Sequence, residues 1–232
     1  HLQLDERVAI KVLRKELTQD KELAGRFLRE ARAAIKIRSE HVVRIHDVAA
    51  LDDGVPYIVM ELLTGSDLEQ LVKERGPLAP GVAVDYVMQA CEAIAEAHAR
   101  GMVHRDLKPA NLFLMRRPDG SPCVKVLDFG ITKVSDIGDS DLGVTSTQAI
   151  FGSPRYMSPE QMRSARNADA RSDVWALGSI LFELVSARSP FDAETMPALC
   201  VAVLNDPPAQ LPPHVPSAFG AVVGREARHD LP

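Results

Sequence analysis

The spacing of apolar positions changes several times along this chain, and each change marks an element. Arg7-Val8-Ala9-Ile10-Lys11-Val12-Leu13 alternates weakly and is rich in branched residues, which predicts a strand. Over residues 20–37, Phe27, Ala31, Ala34 and Ile35 recur at helical spacing with charges between them, which predicts a helix. Glu30 follows Phe27 by three residues and precedes Ala34 by four, so it points along the buried stripe and needs a partner. An ion pair with Arg26 is one solution. Residues 41–48 and 56–63 predict two strands joined by the turn Leu51-Asp52-Asp53-Gly54. Thr64-Gly65-Ser66-Asp67-Leu68 then breaks the pattern and starts a helix, which sets a boundary between a unit over 1–63 and a second over 64–232.

Residues 78–100 predict a long helix with Tyr86, Val87, Ala90, Ile94 and Ala97 on its stripe and Gly101 just past its end. His98 lies beside that stripe and reads as a packed, hydrogen-bonded histidine. Residues 173–185 are apolar on nearly every face, including Trp175, which predicts a buried helix too short to span a bilayer. Asp173 at its start either caps backbone donors or anchors another loop. Residues 135–147 are rich in Asp, Gly, Ser and Thr, a composition that predicts a mobile loop. The chain turns proline-rich from Asn205, with one further short helix expected over 217–227.

Composition narrows this picture. The 232 residues suit one domain or two closely packed lobes, and 46% hydrophobic with only 5% aromatic content implies a mainly aliphatic core. A net charge of −5 argues against general nucleic-acid binding and against a polybasic membrane patch. Cys91, Cys123 and Cys200 are far apart and form no Cys-x-x-Cys, which fits a reducing cytoplasm rather than a disulfide framework or zinc knuckle. No run is long and apolar enough for a membrane span, and no signal peptide is evident. The start at His1, without Met, reads as a fragment of a longer chain.

The candidate chemistry sits in His104-Arg105-Asp106-Leu107-Lys108-Pro109-Ala110-Asn111. Two cations, a carboxylate and an amide fall within eight residues, pinned between the apolar runs Met102-Val103 and Leu112-Phe113-Leu114. Pro109 lacks an N–H and turns Lys108 away from helix, so this is a rigid polar loop. Val126-Leu127-Asp128-Phe129-Gly130 follows closely, a second apolar run ending in a carboxylate and a glycine. Two carboxylates and an amide on neighbouring loops suit a divalent cation and a hydroxyl that must be oriented.

The octet resembles the catalytic loop of eukaryotic-like protein kinases, and Asp128-Phe129-Gly130 resembles their metal-binding triplet. Lys108, two residues after Asp106, is the serine/threonine form, and Tyr156-Met157-Ser158-Pro159-Glu160-Gln161 is similar to a form common in bacterial members. The resemblance spans Arg7 to about Pro190 with the motifs in order, although no Gly-x-Gly-x-x-Gly precedes Lys11 and the arginine expected after the last helix is not evident. It implies an α+β, two-lobed fold: an incomplete, small β-rich N-lobe and a larger helical C-lobe. It also implies an ATP- and magnesium-dependent transfer to protein serines and threonines. In that pattern Lys11, in Val-Ala-Ile-Lys, anchors nucleotide phosphates and Glu30 pairs with it. Met60, Glu61 and Leu63 form the hinge that carries adenine, through backbone groups that leave side-chain identity uninformative. Asp106 receives the substrate hydroxyl proton, Lys108 stabilises the transferred phosphoryl group, and Asn111 and Asp128 hold magnesium. His104, Phe129 and Tyr156 are packing elements, Glu160 seeks an arginine, and Ser153 bridges Asp106 and Lys108. Residues 128–160 form an activation segment, with Thr145 and Thr147 as its expected autophosphorylation sites.

Two other classes compete: a kinase-shaped binding or scaffold module that transfers no phosphate, and a metal-dependent hydrolase using Asp106 and Asp128. Intact Lys11, Glu30, Asp106, Asn111 and Asp128 disfavour the scaffold. A hydrolase would need neither a lysine–glutamate pair nor a hinge. Protein substrate, upstream signal and oligomeric state are not legible in these residues.

Overall fold

The computed structural model describes residues 7–18, 20–129, 153–164, 168–216 and 219–220. Its first part is a three-stranded antiparallel sheet of β1 (Val8–Val12), β2 (Ile45–Ala50) and β3 (Pro56–Glu61) in the order β1-β3-β2. Between β1 and β2 run a short helix α1 (Lys15–Thr18), absent from the sequence expectation, and α2 (Lys21–Ala34). Asp20 caps α2, its carboxylate accepting the backbone N–H groups of Glu22 and Leu23. Phe27 and Ala31 of α2 pack on Leu13 and Ile58, which closes a small core under the sheet.

Two expectations need correction here. Ile35 is not on the buried stripe: the helix ends at Ala34, Ile35 is its C-cap, and the side chain is exposed. The second strand begins at Ile45 rather than residue 41, because the preceding segment is drawn off to the other part of the molecule. Val43 donates to Val126 O at 3.1 Å, and Val126 donates to His41 O at 2.8 Å. The carboxylate of Glu96 also accepts the N–H groups of Arg38 and Ser39, at 2.9 and 2.7 Å.

The larger part is built on helices. After β4 (Gly65–Asp67) and α3 (Leu68–Arg75), the 20-residue α4 (Pro80–Ala99) runs for about 30 Å. It packs against α6 (Ala170–Ser186), whose buried residues include Phe182, Leu184 and Val185. Between them in sequence lie β5 (Leu112–Arg116), β6 (Pro122–Val126) and the short α5 (Pro159–Arg163). α7 (Met196–Asn205) closes the described elements, and Trp175 sits in a separate cluster with Phe191, Leu199 and Val203.

The strands β4, β5 and β6 form a second antiparallel sheet that was not expected, residues 112–114 and 126–127 being read only as apolar runs. Three polar or small residues, Gly-Ser-Asp, carry no strand signal. Gly65 is required there: it has φ 153°, and a Cβ on it would lie 2.1 Å from Leu114 O. β6 runs straight into the 127–129 segment, so this small sheet delivers Asp128 to the face between the two parts. Among the described residues, no helix is long and apolar enough to cross a membrane. The expected helix over 217–227 lies mostly outside them, only residues 219–220 being described.

Candidate active site

Asp173 organises the site. It is 1% exposed, in the first turn of α6. Its Oδ2 accepts the backbone N–H of His104 at 2.8 Å and is 2.7 Å from His98 Nε2; its Oδ1 accepts the backbone N–H of Arg105 at 2.8 Å. The alternative left open by the sequence is thereby resolved. The helix is capped by Asp169, which accepts the N–H of Arg171, and Asp173 anchors the 104–111 loop. Arg105 adopts φ 66°, an uncommon conformation for a non-glycine residue. It is held on both sides, its carbonyl accepting Gln161 Nε2 at 3.1 Å. Gln161 is set in turn by a capping box with Ser158 at the start of α5, a Ser-x-x-Gln signal that the sequence offered and the reading passed over.

His104 is fully buried and keyed into the loop on both edges. Its Nδ1 accepts the N–H of Asp106 at 3.3 Å, so Nε2 carries the proton and donates to Leu127 O at 2.8 Å. Burial pushes its pKa below the ordinary value, which keeps the ring neutral. The ring also packs on Phe129, with centroids 4.9 Å apart. The peptide before Asp128 is thus tied to the loop that carries Asp106.

Asp106 is itself 8% exposed. Its Oδ2 pairs with Lys108 Nζ at 3.1 Å, and its carbonyl accepts Asn111 Nδ2 at 2.8 Å. Asn111 closes a 3-10 turn, Pro109–Asn111, and its backbone carbonyl accepts Leu127 N–H at 2.9 Å. Asp128 stands at φ 58°, in the left-handed region that aspartate tolerates better than most residues.

Lys11 reaches across from β1 to meet Asp128, Nζ to Oδ1 at 2.5 Å. This corrects the expectation that it pairs with Glu30. The Glu30 carboxylate faces the charges of Arg26, Arg105 and Arg29, and its Oε2 is buried without a hydrogen-bond partner. Desolvation dominates and pushes its pKa from 4.5 up to about 7. A carboxylate that holds its proton near neutrality is a weak partner for an ammonium.

Met60 and Glu61 end β3, and Leu63 lies in the irregular stretch that follows. The Glu61 side chain is not uninformative: its Oε1 accepts Lys125 Nζ and the N–H of Arg44, both at 2.7 Å. Of the other expected packing residues, Tyr156 donates to Glu183 Oε2 at 2.7 Å, and burial raises the pKa values of both. Glu160 accepts Ser172 Oγ at 2.7 Å where an arginine was expected, because α5 sets it against the start of α6. The side chain of Ser153, and Gly130, Thr145 and Thr147, lie outside the described residues, as does most of the expected activation segment.

The geometry is a pair of anchored carboxylates on adjoining loops, with one lysine beside each and an amide between them. The family model described as the protein kinase domain matches residues 1–210. The chain is 43% identical over 228 residues to the serine/threonine-protein kinase Pkn1 of Myxococcus xanthus, an alignment covering 97% of this chain and 32% of that protein. It is 42% identical over 204 residues to a probable serine/threonine-protein kinase of Corynebacterium efficiens, covering 87% of this chain and 30% of that one. It is 37% identical over 215 residues to the serine/threonine-protein kinase PknB of Mycobacterium tuberculosis, covering 91% and 33%. The chain therefore spans about a third of the length of the curated relatives it matches.

Proposed function

This chain belongs to the protein kinase family, and on that premise we propose that it transfers the γ-phosphoryl group of ATP to serine and threonine hydroxyls of proteins. The observation that carries the reading is the shared anchoring of Asp106 and Asp128. One loop holds Asp106, Lys108 and Asn111; it is fixed below by Asp173 and tied through His104 and Asn111 to the peptide before Asp128.

In this reading the lobes divide between residues 63 and 64, and ATP lies between them. Backbone groups of the Met60–Leu63 stretch hold the adenine, and Lys11 holds its phosphates. Asp106 accepts a hydrogen bond from the substrate hydroxyl. That oxygen attacks the γ-phosphorus, the bond from the γ-phosphorus to the bridging oxygen breaks, ADP leaves, and Asp106 takes the hydroxyl proton. Lys108, within reach of the same carboxylate, offsets charge on the phosphoryl group in transit. Most of the catalytic effect then comes from positioning and electrostatics rather than from covalent chemistry.

The donor set fits a magnesium ion. One carboxylate, Asp128, and one amide oxygen, Asn111, are hard ligands, and the small number suits an ion that keeps waters and takes substrate phosphates. Bound there, magnesium would supply positive charge that offsets the charge of the nucleotide phosphates. The described residues contain no group of three or more His, Cys, Asp or Glu that could hold a metal alone, which fits a site completed by the nucleotide. We place the activity in the cytoplasm, where ATP is supplied and the thiols of Cys91, Cys123 and Cys200, which form no disulfide, are kept reduced.

The test is transfer of label from γ-labelled ATP to a generic basic protein, with and without magnesium, followed by phosphoamino-acid analysis. Magnesium-dependent phosphoserine and phosphothreonine are expected. Label released only as inorganic phosphate would instead support a hydrolase, and nucleotide binding without transfer would support a scaffold.

A further inference from the structure

Glu61 forms a junction of three segments. It ends β3, where the chain leaves the small sheet. Its own N–H donates to Arg44 O at 2.9 Å, and its Oε1 accepts the N–H of Arg44 at 2.7 Å. The same oxygen accepts Lys125 Nζ at 2.7 Å, and Lys125 belongs to β6, in the sheet of the other lobe. The two side chains are only 13% and 25% exposed, so water and salt screen this pair less than a surface pair.

Lys125 is not needed to hold β6 in its own sheet, since the antiparallel register with β5 runs from Leu112↔Val126 to Arg116↔Pro122. What the lysine adds is a link out of that sheet. Three residues further along the chain, just past the end of β6, stands Asp128. The exchange of backbone bonds between Val126 and the 41–43 segment fixes β6 from the other side. The proposed adenine-holding stretch and the proposed phosphate-end carboxylate are therefore joined by one short rigid path: Glu61, Lys125, β6, Asp128.

We infer that the Glu61–Lys125 pair is a positioning device that sets the spacing between the hinge and Asp128, and so governs ATP affinity rather than transfer rate. The inference rests on the ATP-dependent reading above. ATP must engage both ends of its site at once, and a hinge free to drift against β6 costs affinity each time the two are brought into line. The chemical step depends on a separate set of bonds, joined to the β6 end through Leu127. Asp106 and Lys108 are positioned by Asp173, His104 and Gln161, none of which touches Glu61 or Lys125.

The experiment measures magnesium–ATP binding by calorimetry, and KM for ATP and kcat by labelled transfer. The variants are Lys125→Met, Lys125→Arg, Glu61→Gln and the Glu61→Gln/Lys125→Met double. Lys125→Met is expected to raise Kd and KM for ATP about fivefold, which is roughly 1 kcal/mol, while kcat stays within about twofold. Lys125→Arg should restore wild-type affinity, and the double variant should be no worse than the poorer single. Glu61→Gln removes the charge of the same pair without altering β6, its amide oxygen remaining an acceptor, so a smaller loss of ATP affinity is expected there and a folding defect confined to Lys125→Met leaves the test intact. Unchanged ATP affinity in both single variants, additive losses in the double, or a fall in kcat at constant KM would each overturn the inference while leaving the kinase reading in place. A wild-type chain that binds no ATP would overturn both.

Discussion

Replacing Asp173 with Asn keeps its size and removes one acceptor and a charge. Three donors converge on the native carboxylate: His104 N–H and His98 Nε2 on Oδ2, and Arg105 N–H on Oδ1. An amide can present its oxygen to only one side. With that oxygen on the His98 and His104 side, an NH2 group faces the Arg105 N–H, donor against donor. A buried donor left without an acceptor costs about 1–3 kcal/mol. The two remaining bonds also change from charge-assisted to neutral, roughly halving their strength for a further loss of about 1–2 kcal/mol. The expected destabilisation is therefore roughly 2–5 kcal/mol, large but within the usual stability of a domain. Arg105, held at φ 66° by that bond, should relax and carry Asp106 with it, so kcat should fall more steeply than ATP affinity. Urea denaturation gives the first quantity, and labelled transfer with calorimetric ATP binding gives the second. Asp169→Ala is the control, because losing only the helix cap costs about 0.5–2 kcal/mol and leaves the loop alone. If Asp173→Asn destabilised no more than Asp169→Ala and kept wild-type kcat, the anchoring argument would be refuted.

Three other outcomes are expected. The folded chain holds the Glu30 proton up to about pH 7, against an ordinary value of 4.5 that the unfolded chain keeps, so stability should fall as pH rises through that window and level off above it. Glu30→Gln should remove that slope, a gain of about 1–2 kcal/mol at pH 8 after allowance for partial exposure, and equal urea midpoint shifts between pH 5 and pH 8 in wild type and variant would contradict it. Trp175, buried and stacked on Phe191 at 5.8 Å, should emit as a shielded indole, and Trp175→Ala should cost about 3–5 kcal/mol; a water-exposed emission spectrum would refute the packing. From the sequence alone, since both threonines lie outside the described residues, Thr145→Ala/Thr147→Ala should lower activity and remove any loop phosphate seen by mass spectrometry, the outcome expected of a phosphate that pairs with an arginine; full activity would place the switch elsewhere.

What could be read in advance was what depends on local order. Val-Ala-Ile-Lys, the octet around Asp106 and the run into Asp128 are each legible in consecutive residues, and the structure brings Lys11 to Asp128 and Asn111 to Asp106 and Leu127. The long helices were legible because α4 and α6 keep apolar stripes over many turns. The misses share one cause: they depend on which distant segment lies opposite. Gly65-Ser66-Asp67 becomes a strand only because β5 is beside it. Glu30 was placed correctly on the buried side of α2, but periodicity cannot say that Lys11 meets Asp128 instead. Glu61 and Lys125 stand 64 positions apart, and neither is unusual where it stands. The segment before β2 reads as strand by composition, yet Glu96 and Val126 take its backbone groups.

The central claim is that Asp106 acts on the acceptor hydroxyl and not on the nucleotide. It is tested most directly by measuring magnesium–ATP binding and labelled phosphoryl transfer side by side in wild type and Asp106→Asn. The account predicts that ATP affinity stays within about twofold while transfer falls by about 100-fold or more, the scale of a lost general base. An Asp106→Asn chain that transfers phosphate at the wild-type rate, or one that folds normally but loses ATP binding in step with transfer, would contradict it.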